Sequence, residues 1–363
     1  MSAVSLKAKI GVLVCDDSAF SRITLRKIIE SDPAMRVVDI ARNGKEAVEK
    51  ALKLNPDVIT LDVNMPGMDG LTALKEIVKL EIAPVIMVAS TSGENAHAVI
   101  DAIEAGAFDF ISKPDGIADF ESHSAEILQE IKKAVTSDIY KKNKVVRNRI
   151  TDIEKSGSVV PETVKDSAGG LGFKLVALGI STGGPRTIFH VLPGLPKDLN
   201  AAVIVVQHMP AAFIPPFTQR LGSKSAMKCV ETEAGMKIEP GNIYIAAGGY
   251  HLKLVKKMNG DVLIRQAKEP QHLFMPSVDI MMDSVVAIFG SDTVGVLMTG
   301  MGRDGAEGMV KIRNAGGITI AESEETAVVF GMPQEAINRG AVQVVAPAWT
   351  IAREIVKAVE EKK

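Results

Sequence analysis

Apolar residues in this chain come either in short unbroken runs or in longer stretches where they recur every third or fourth position. Runs of the first kind read as strands buried on both faces, and stretches of the second kind as helices. In the first half the runs are 9–15, 37–41, 57–61, 84–88 and 107–111. Helical patterns at 18–30 and 44–54 separate the first three, with Pro33 just past the first helix. Strands alternating with helices predict a parallel sheet covered on both faces. A closing helix is expected over 121–142, with Ile127, Leu128, Ile131 and Val135 at helical spacing; that stripe is most simply core.

Beyond it, 143–149 and 155–170 mix polar residues, glycine and proline with no sustained period, which marks a connector. A solvated tether explains this stretch more economically than a basic arm for nucleic acid. Buried runs then return at 174–180, 201–206 and 293–298, with later ones at 315–321 and 341–345. A helix is expected over 186–192 after Pro185, and a hairpin-like excursion over 242–246 and 252–264. The predicted architecture is α/β in two domains, each a doubly wound, mostly parallel sheet: 1–140, a linker at 141–171, and 172–363.

Composition changes this picture little. The chain has 363 residues, 46% hydrophobic and 24% charged, with a net charge of −2, as in an ordinary soluble globular protein. No basic surplus points to nucleic acid, and no helix-turn-helix is evident. Cys15 and Cys229 make no metal-ligand spacing and fit a reducing compartment. The apolar run near the N-terminus is cut short by Asp16 and Asp17, and no run approaches 18 residues. Neither a signal peptide nor membrane insertion is therefore expected, and a cytoplasmic location is.

The chemistry gathers where strands end. In the first half, Asp16, Asp17 and Asp62 all fall at carboxyl ends of predicted strands. Crowded like charges need a cation or protons to neutralise them. An oxygen-rich site with few protein ligands suits Mg²⁺, and Lys113 ends the fifth strand within reach of the same crevice.

In the second half, Gly179-Ile-Ser-Thr-Gly183 satisfies G-x-S-x-G, a turn that exposes a nucleophilic hydroxyl. Two other readings of Ser181 stand beside it: a phosphate cradle at a helix N-terminus, and a simple helix cap. His208 follows the 201–206 run and Asp304 follows the 293–298 run. A hydroxyl, an imidazole and a carboxylate at one sheet edge make the set for nucleophilic acyl transfer, which requires no cofactor. Ser277, His272 and Asp279 form a rival set, although Ser277 and Asp279 open a predicted helix and are explained by capping and the helix dipole. His190 lies inside a predicted helix, His251 in the hairpin region, and His97 and His123 in the first domain. The order Ser…His…Asp also differs from that of the α/β-hydrolases, so the turn does not assign that fold.

Two resemblances follow from these motifs. Residues 9 to about 135 resemble a response-regulator receiver domain, through Cys15-Asp-Asp17, Asp62 with Met65-Pro66 and Gly70, and Lys113-Pro114. The resemblance implies a flavodoxin-like fold and phosphorylation of Asp62 by a histidine kinase. It implies Mg²⁺ held by Asp16, Asp17, Asp62 and the Asn64 carbonyl, and Lys113 on the phosphoryl oxygens. One position departs: the hydroxyl usual at the end of the fourth strand falls on Ala89, with Ser90 and Thr91 next. This touches the switch rather than the phosphorylation. Phe110 occupies the position of the aromatic ring that often moves with that hydroxyl.

Residues 172 to about 355 resemble the catalytic domain of the chemotaxis protein-glutamate methylesterases. The matching motifs are Gly179-Ile-Ser-Thr-Gly-Gly184, Gln207-His-Met-Pro210, Pro276-Ser-Val-Asp279 and Thr299-Gly-Met-Gly-Arg-Asp-Gly305. The resemblance implies hydrolysis of glutamate methyl esters on chemoreceptor helices, deamidation of receptor glutamines, and a triad of Ser181, His208 and Asp304. Backbone N–H groups near Thr182, Gly183 and Met301 are the expected oxyanion donors. In the family's regulatory logic, an unphosphorylated receiver hinders the substrate and phosphorylation relieves that. The alternative from another class is a phosphorylation-controlled module whose C-terminal domain binds a nucleotide or a protein without chemistry.

Overall fold

The structure is a computed structural model that describes residues 9–90, 93–113, 117–137 and 171–361. The expected connector stretches 143–149 and 155–170, and the positions of Thr91 and Pro114, lie outside the described residues. The chain divides into two compact units, Met1–Tyr140 and Lys141–Lys363.

The first unit alternates strand and helix in chain order: β1 (Ile10–Cys15), α1 (Ala19–Ser31), β2 (Met35–Ala41), α2 (Gly44–Leu54), β3 (Val58–Asp62), α3 (Gly70–Lys79), β4 (Val85–Ala89), α4 (Gly93–Ala105), β5 (Asp109–Ser112) and α5 (Ile117–Thr136). The strands pair in parallel in the order β2-β1-β3-β4-β5, the flavodoxin-like order whose switch point lies between β1 and β3. Helices start where side chains supply the missing acceptors. Ser18 accepts from Ser21 N–H, Asn43 from Glu46 N–H, and Asp69 from Thr72 N–H. The closing helix begins at Ile117, a turn before the expected start. It ends at Thr136, short of the expected end at 142.

The second unit opens with β6 (Lys174–Ile180), whose residues Leu175–Ile180 are all buried. The helix expected at 186–192 is not a single helix. One α-turn, α6 (Gly184–Thr187), gives way to 3₁₀ segments at Ile188–His190 and Leu192–Gly194. Then come β7 (Ala201–Gln207), α7 (Ile214–Lys224), β8 (Lys228–Glu231), β9 (Asn242–Ile245), β10 (His251–Lys256), β11 (Val262–Ala267), α8 (Val278–Phe289), β12 (Thr293–Leu297), α9 (Ala306–Asn314), β13 (Ile318–Glu322), α10 (Met332–Asn338), β14 (Val344–Ala346) and α11 (Ala348–Glu360).

Seven strands form one parallel sheet in the order β14-β13-β12-β6-β7-β9-β8. The excursion expected over 242–264 is therefore half right. The strand Asn242–Ile245 pairs in parallel between β7 and β8, and only β10 and β11 make the antiparallel hairpin. The edge strand β8 has one exposed and three half-buried residues and no apolar run, so it leaves no strand pattern in the sequence. The chain enters the sheet centrally at β6 and builds outward through β7. It then returns to pair β12 against β6 before building outward the other way. The loops after β6, β7 and β12 thus leave one edge around the topological switch point, the place where open α/β sheets bind ligands.

Candidate active site

Ser181 is the first residue past β6, and its position is set by the strand beside it. Its N–H donates to the Thr299 carbonyl at 2.9 Å, and its own carbonyl accepts from Gly184 N–H at 2.7 Å. The turn requires glycine at 183, where φ is +73° and a Cβ would sit 2.4 Å from Cβ of Val328. Gly183, with no side-chain cap, is the N-cap of α6, so Ser181 is not the helix cap. A helix of one turn also offers a weak dipole for a phosphate cradle.

Past β7, the His208 N–H donates to the Ile180 carbonyl at 3.1 Å. Buried Gln207 joins the two loops, its Nε2 donating to the carbonyls of Ser181 (3.1 Å) and His208 (2.9 Å). The His208 ring spans the other two members: Nδ1 lies 3.1 Å from Ser181 Oγ and Nε2 lies 2.9 Å from Asp304 Oδ2. All three residues that the strand ends single out are therefore brought together.

Asp304 is 4% exposed, yet it is held as an anion. Burial raises its pKa, but the His208 hydrogen bond and charge, with the N–H groups of Asp279 and Val278, outweigh this and bring it to about 2. Oδ1 accepts from Ser277 Oγ at 2.9 Å and from Asp279 N–H at 3.0 Å, and Oδ2 accepts from Val278 N–H at 2.8 Å. An ionised carboxylate only accepts, so Nε2 donates to it, and in the neutral form of the ring the Nδ1 lone pair faces the serine hydroxyl. The roles match those of a Ser-His-Asp triad, with the two ring nitrogens exchanged relative to the serine-protease arrangement.

The rival set does not assemble. Ser277 is the N-cap of α8 and a donor to Asp304, and Asp279 accepts from Gly308 N–H at 2.7 Å. His272 is exposed and accepts from Phe274 N–H at 3.2 Å. His251 is fully buried and structural: its Nε2 meets the Pro270 carbonyl at 2.9 Å and its Nδ1 accepts from Ser277 N–H at 3.2 Å. Burial also lowers the pKa of His190, which lies in the first 3₁₀ segment.

Sequence reasoning missed the clamp on Asp304, the Gln207 tie and the ring of Phe274, which stacks on His208 at 4.2 Å between centroids. Gln207 adjoins His208 and Ser277 starts a helix, and that adjacency is the signal the sequence carries for both. Of the expected oxyanion donors, Thr182 and Gly183 lie on the nucleophile turn, and Met301 is 40% exposed on the loop after β12. The N–H of Ser181 is engaged by the Thr299 carbonyl.

In the first unit, Asp16 and Asp17 follow β1 and Asp62 ends β3, with one carboxylate oxygen of each within 4.8 Å of the others. Lys113 Nζ lies 2.9 Å from Asp16 Oδ2 and 3.0 Å from Asp62 Oδ2. Burial first, and then the Asp16 charge, raise the pKa of Asp62 to about 6 despite Lys113. Burial works against the Lys113 charge, but Asp16 and Asp62 more than restore it and its pKa is raised. One lysine facing three carboxylates leaves negative charge uncompensated, so the donor set fits a hard divalent cation with oxygen ligands. The Asn64 side chain donates to Asn95 Oδ1 at 2.6 Å. Ala89 is the buried last residue of β4 and pairs with Ser112, and the Ser90 hydroxyl next to it accepts from Asn95 Nδ2. Phe110 is buried on β5.

Fold and site together define a two-unit α/β protein that joins a carboxylate-cluster receiver to a unit carrying a Ser-His-Asp line at its sheet edge. Family models agree: residues 12–123 match the response regulator receiver domain and residues 176–355 match CheB methylesterase. A protein-glutamate methylesterase/protein-glutamine glutaminase of Syntrophomonas wolfei is 49% identical over 350 residues, covering 96% of this chain and 99% of that one. The protein of that name from Caldanaerobacter subterraneus is 44% identical, covering 98% of each. The crystal structure of the CheB methylesterase catalytic domain of Thermotoga maritima is 41% identical, with a TM-score of 0.50, over 52% of this chain and 99% of that one. This chain belongs to the protein-glutamate methylesterase/protein-glutamine glutaminase family.

Proposed function

We propose that the chain is a phosphorylation-controlled hydrolase that removes methyl groups from glutamate methyl esters on the cytoplasmic helices of chemotaxis receptors, and deamidates receptor glutamines at the same site. Ser181 Oγ attacks the ester carbonyl while His208 Nδ1 takes its proton, and Asp304 steadies the imidazolium through Nε2. The oxyanion is met by backbone N–H groups from the set Thr182, Gly183 and Met301. The proton on Nδ1 passes to the methoxy group, and methanol leaves. Water, deprotonated by the same nitrogen, then cleaves the acyl-enzyme and regenerates Ser181. With a glutamine side chain the leaving group is ammonia.

Control lies with Asp62 as acceptor of a phosphoryl group from a chemotaxis histidine kinase. Asp16, Asp17, Asp62 and the Asn64 carbonyl would hold Mg²⁺, which when bound neutralises phosphoryl charge. Lys113 contacts the phosphoryl oxygens. The receiver is assigned to 1–140, the linker to 141–171 and the catalytic domain to 172–363. The enzyme works in the cytoplasm, in keeping with the finding that no described helix is long and apolar enough to cross a membrane.

The observation that supports this reading most is the line from Ser181 Oγ through His208 to Asp304, with contacts of 3.1 and 2.9 Å. The test is methanol release from methylated receptors with and without a small phosphodonor. Release that rises with phosphodonor is expected; no release under either condition would overturn the reading.

A further inference from the structure

Between Pro270 and Asp279 the chain does two jobs at once. Its end clamps the Asp304 carboxylate through Ser277, Val278 and Asp279. Its middle lays Phe274 flat on the His208 imidazole, with ring centroids 4.2 Å apart and planes 8° from parallel. The loop is anchored at both ends to His251, through the Pro270 carbonyl and Ser277 N–H, and the Met275 carbonyl accepts from Gly249 N–H at 3.2 Å. The Phe274 N–H itself donates to His272. Phe274 is thus held in place by its own backbone, and a stacked ring so held resists rotation of the imidazole.

We infer that Phe274 is a positioning residue for the reaction assigned to this site. Its ring keeps Nδ1 facing Ser181 and Nε2 facing Asp304, and its face stabilises the imidazolium that forms when Nδ1 takes the serine proton. The inference rests on the proposed triad. Two contacts, to Ser181 and Asp304, fix the edges of the imidazole but leave it free to tilt about the axis joining them; a parallel ring removes that freedom. The negative face of an aromatic ring also favours a cation over it, so the stack is stronger with imidazolium than with imidazole. An interaction that strengthens along the reaction raises kcat rather than lowering KM. Ionisable groups around the ring among the described residues include Asp304 on its Nε2 edge, Asp279 and His251 close to Asp304, and His272 beside Phe274.

The experiment compares the full chain with Phe274→Leu and Phe274→Tyr, following methanol release from methylated receptor across pH. Phe274→Leu keeps apolar cover but loses the π face. It should lower kcat by about five- to twentyfold, the scale of a partly desolvated cation–π contact, with KM within about twofold of the parent. The acid limb of its pH–rate profile should move to lower pH, because the imidazolium is less stabilised. Phe274→Tyr keeps the ring and should restore rate and profile. A Phe274→Leu enzyme with parental kcat and profile would overturn the inference, as would a loss confined to KM, which marks a substrate contact instead. A parent chain that releases no methanol would count against the proposed function; an active parent with a flat Phe274 series counts against this inference alone.

Discussion

The Ser277 hydroxyl donates to Oδ1 of Asp304 across 2.9 Å, on the carboxylate oxygen that His208 does not use. The same hydroxyl caps α8 by accepting from Ile280 N–H. Ser277→Ala removes both bonds. Loss of the cap should destabilise the second unit by about 1 kcal/mol. Loss of the donor loosens the carboxylate that orients the imidazole, so kcat should fall roughly tenfold, one hydrogen bond to a charged group. Ser277→Thr should recover most of both, as read by thermal melting and by methanol release.

Ser181→Ala should lower turnover by on the order of 10⁴- to 10⁶-fold, because triad members act as a unit. Stability should change little, since the backbone bonds that place residue 181 are kept. Near-parental methanol release from this variant would remove Ser181 from the mechanism.

At Gly183 the left-handed backbone and the nearness of Val328 act together. Gly183→Ala should cost about 1–2 kcal/mol in backbone strain alone and displace the nucleophile turn. Activity should therefore fall further than the melting temperature implies. Adding Val328→Ala relieves the overlap but not the φ strain, so a double-mutant cycle should show partial recovery.

The pKa of Asp304, lowered to about 2, predicts how stability depends on acid. A carboxylate with a depressed folded-state pKa contributes stability that is complete above its unfolded value near 4 and is lost as pH falls towards 2. The contribution is about 2 kcal/mol. The melting difference between the parent and Asp304→Asn should shrink as pH falls through this window. A constant difference would show that the clamp does not depend on charge.

Asp62 has the opposite sign. Its folded-state pKa of about 6 lies above the unfolded value, so ionising it costs stability as pH rises from about 4 through 6. In chelator, Asp62→Asn should raise the melting temperature of the first unit above pH 6 and have little effect near pH 4. Mg²⁺ should stabilise the parent more than the variant, because the variant lacks one carboxylate of the cluster. Equal Mg²⁺ effects would argue against Asp62 as a ligand.

Much of this arrangement is legible before any coordinates. Buried runs such as 58–62 and 201–207 announce themselves because a strand covered on both faces has no polar side to interrupt it. Since strand ends in a parallel sheet share an edge, Ser181, His208 and Asp304 could be grouped by their place after such runs alone. The misreadings occur where pattern is weak. β8 has no period, β9 sits next to a true hairpin in the chain, and 186–192 has helical apolar spacing yet turns to 3₁₀ after Thr187.

Most strands, their buried faces and the residues that follow them are readable in the chain, because burial and turn chemistry are local properties; the edge strand β8 and the pairing of β9 are not. The return of β12 to lie against β6 comes from packing alone, and it brings the loops after them within 3 Å or so of a shared imidazole. Packing also decided that residues 277–279 would clamp Asp304 and that Phe274 would lie over His208. Contacts between segments far apart in sequence depend on how whole layers pack, and no run of neighbouring residues encodes them.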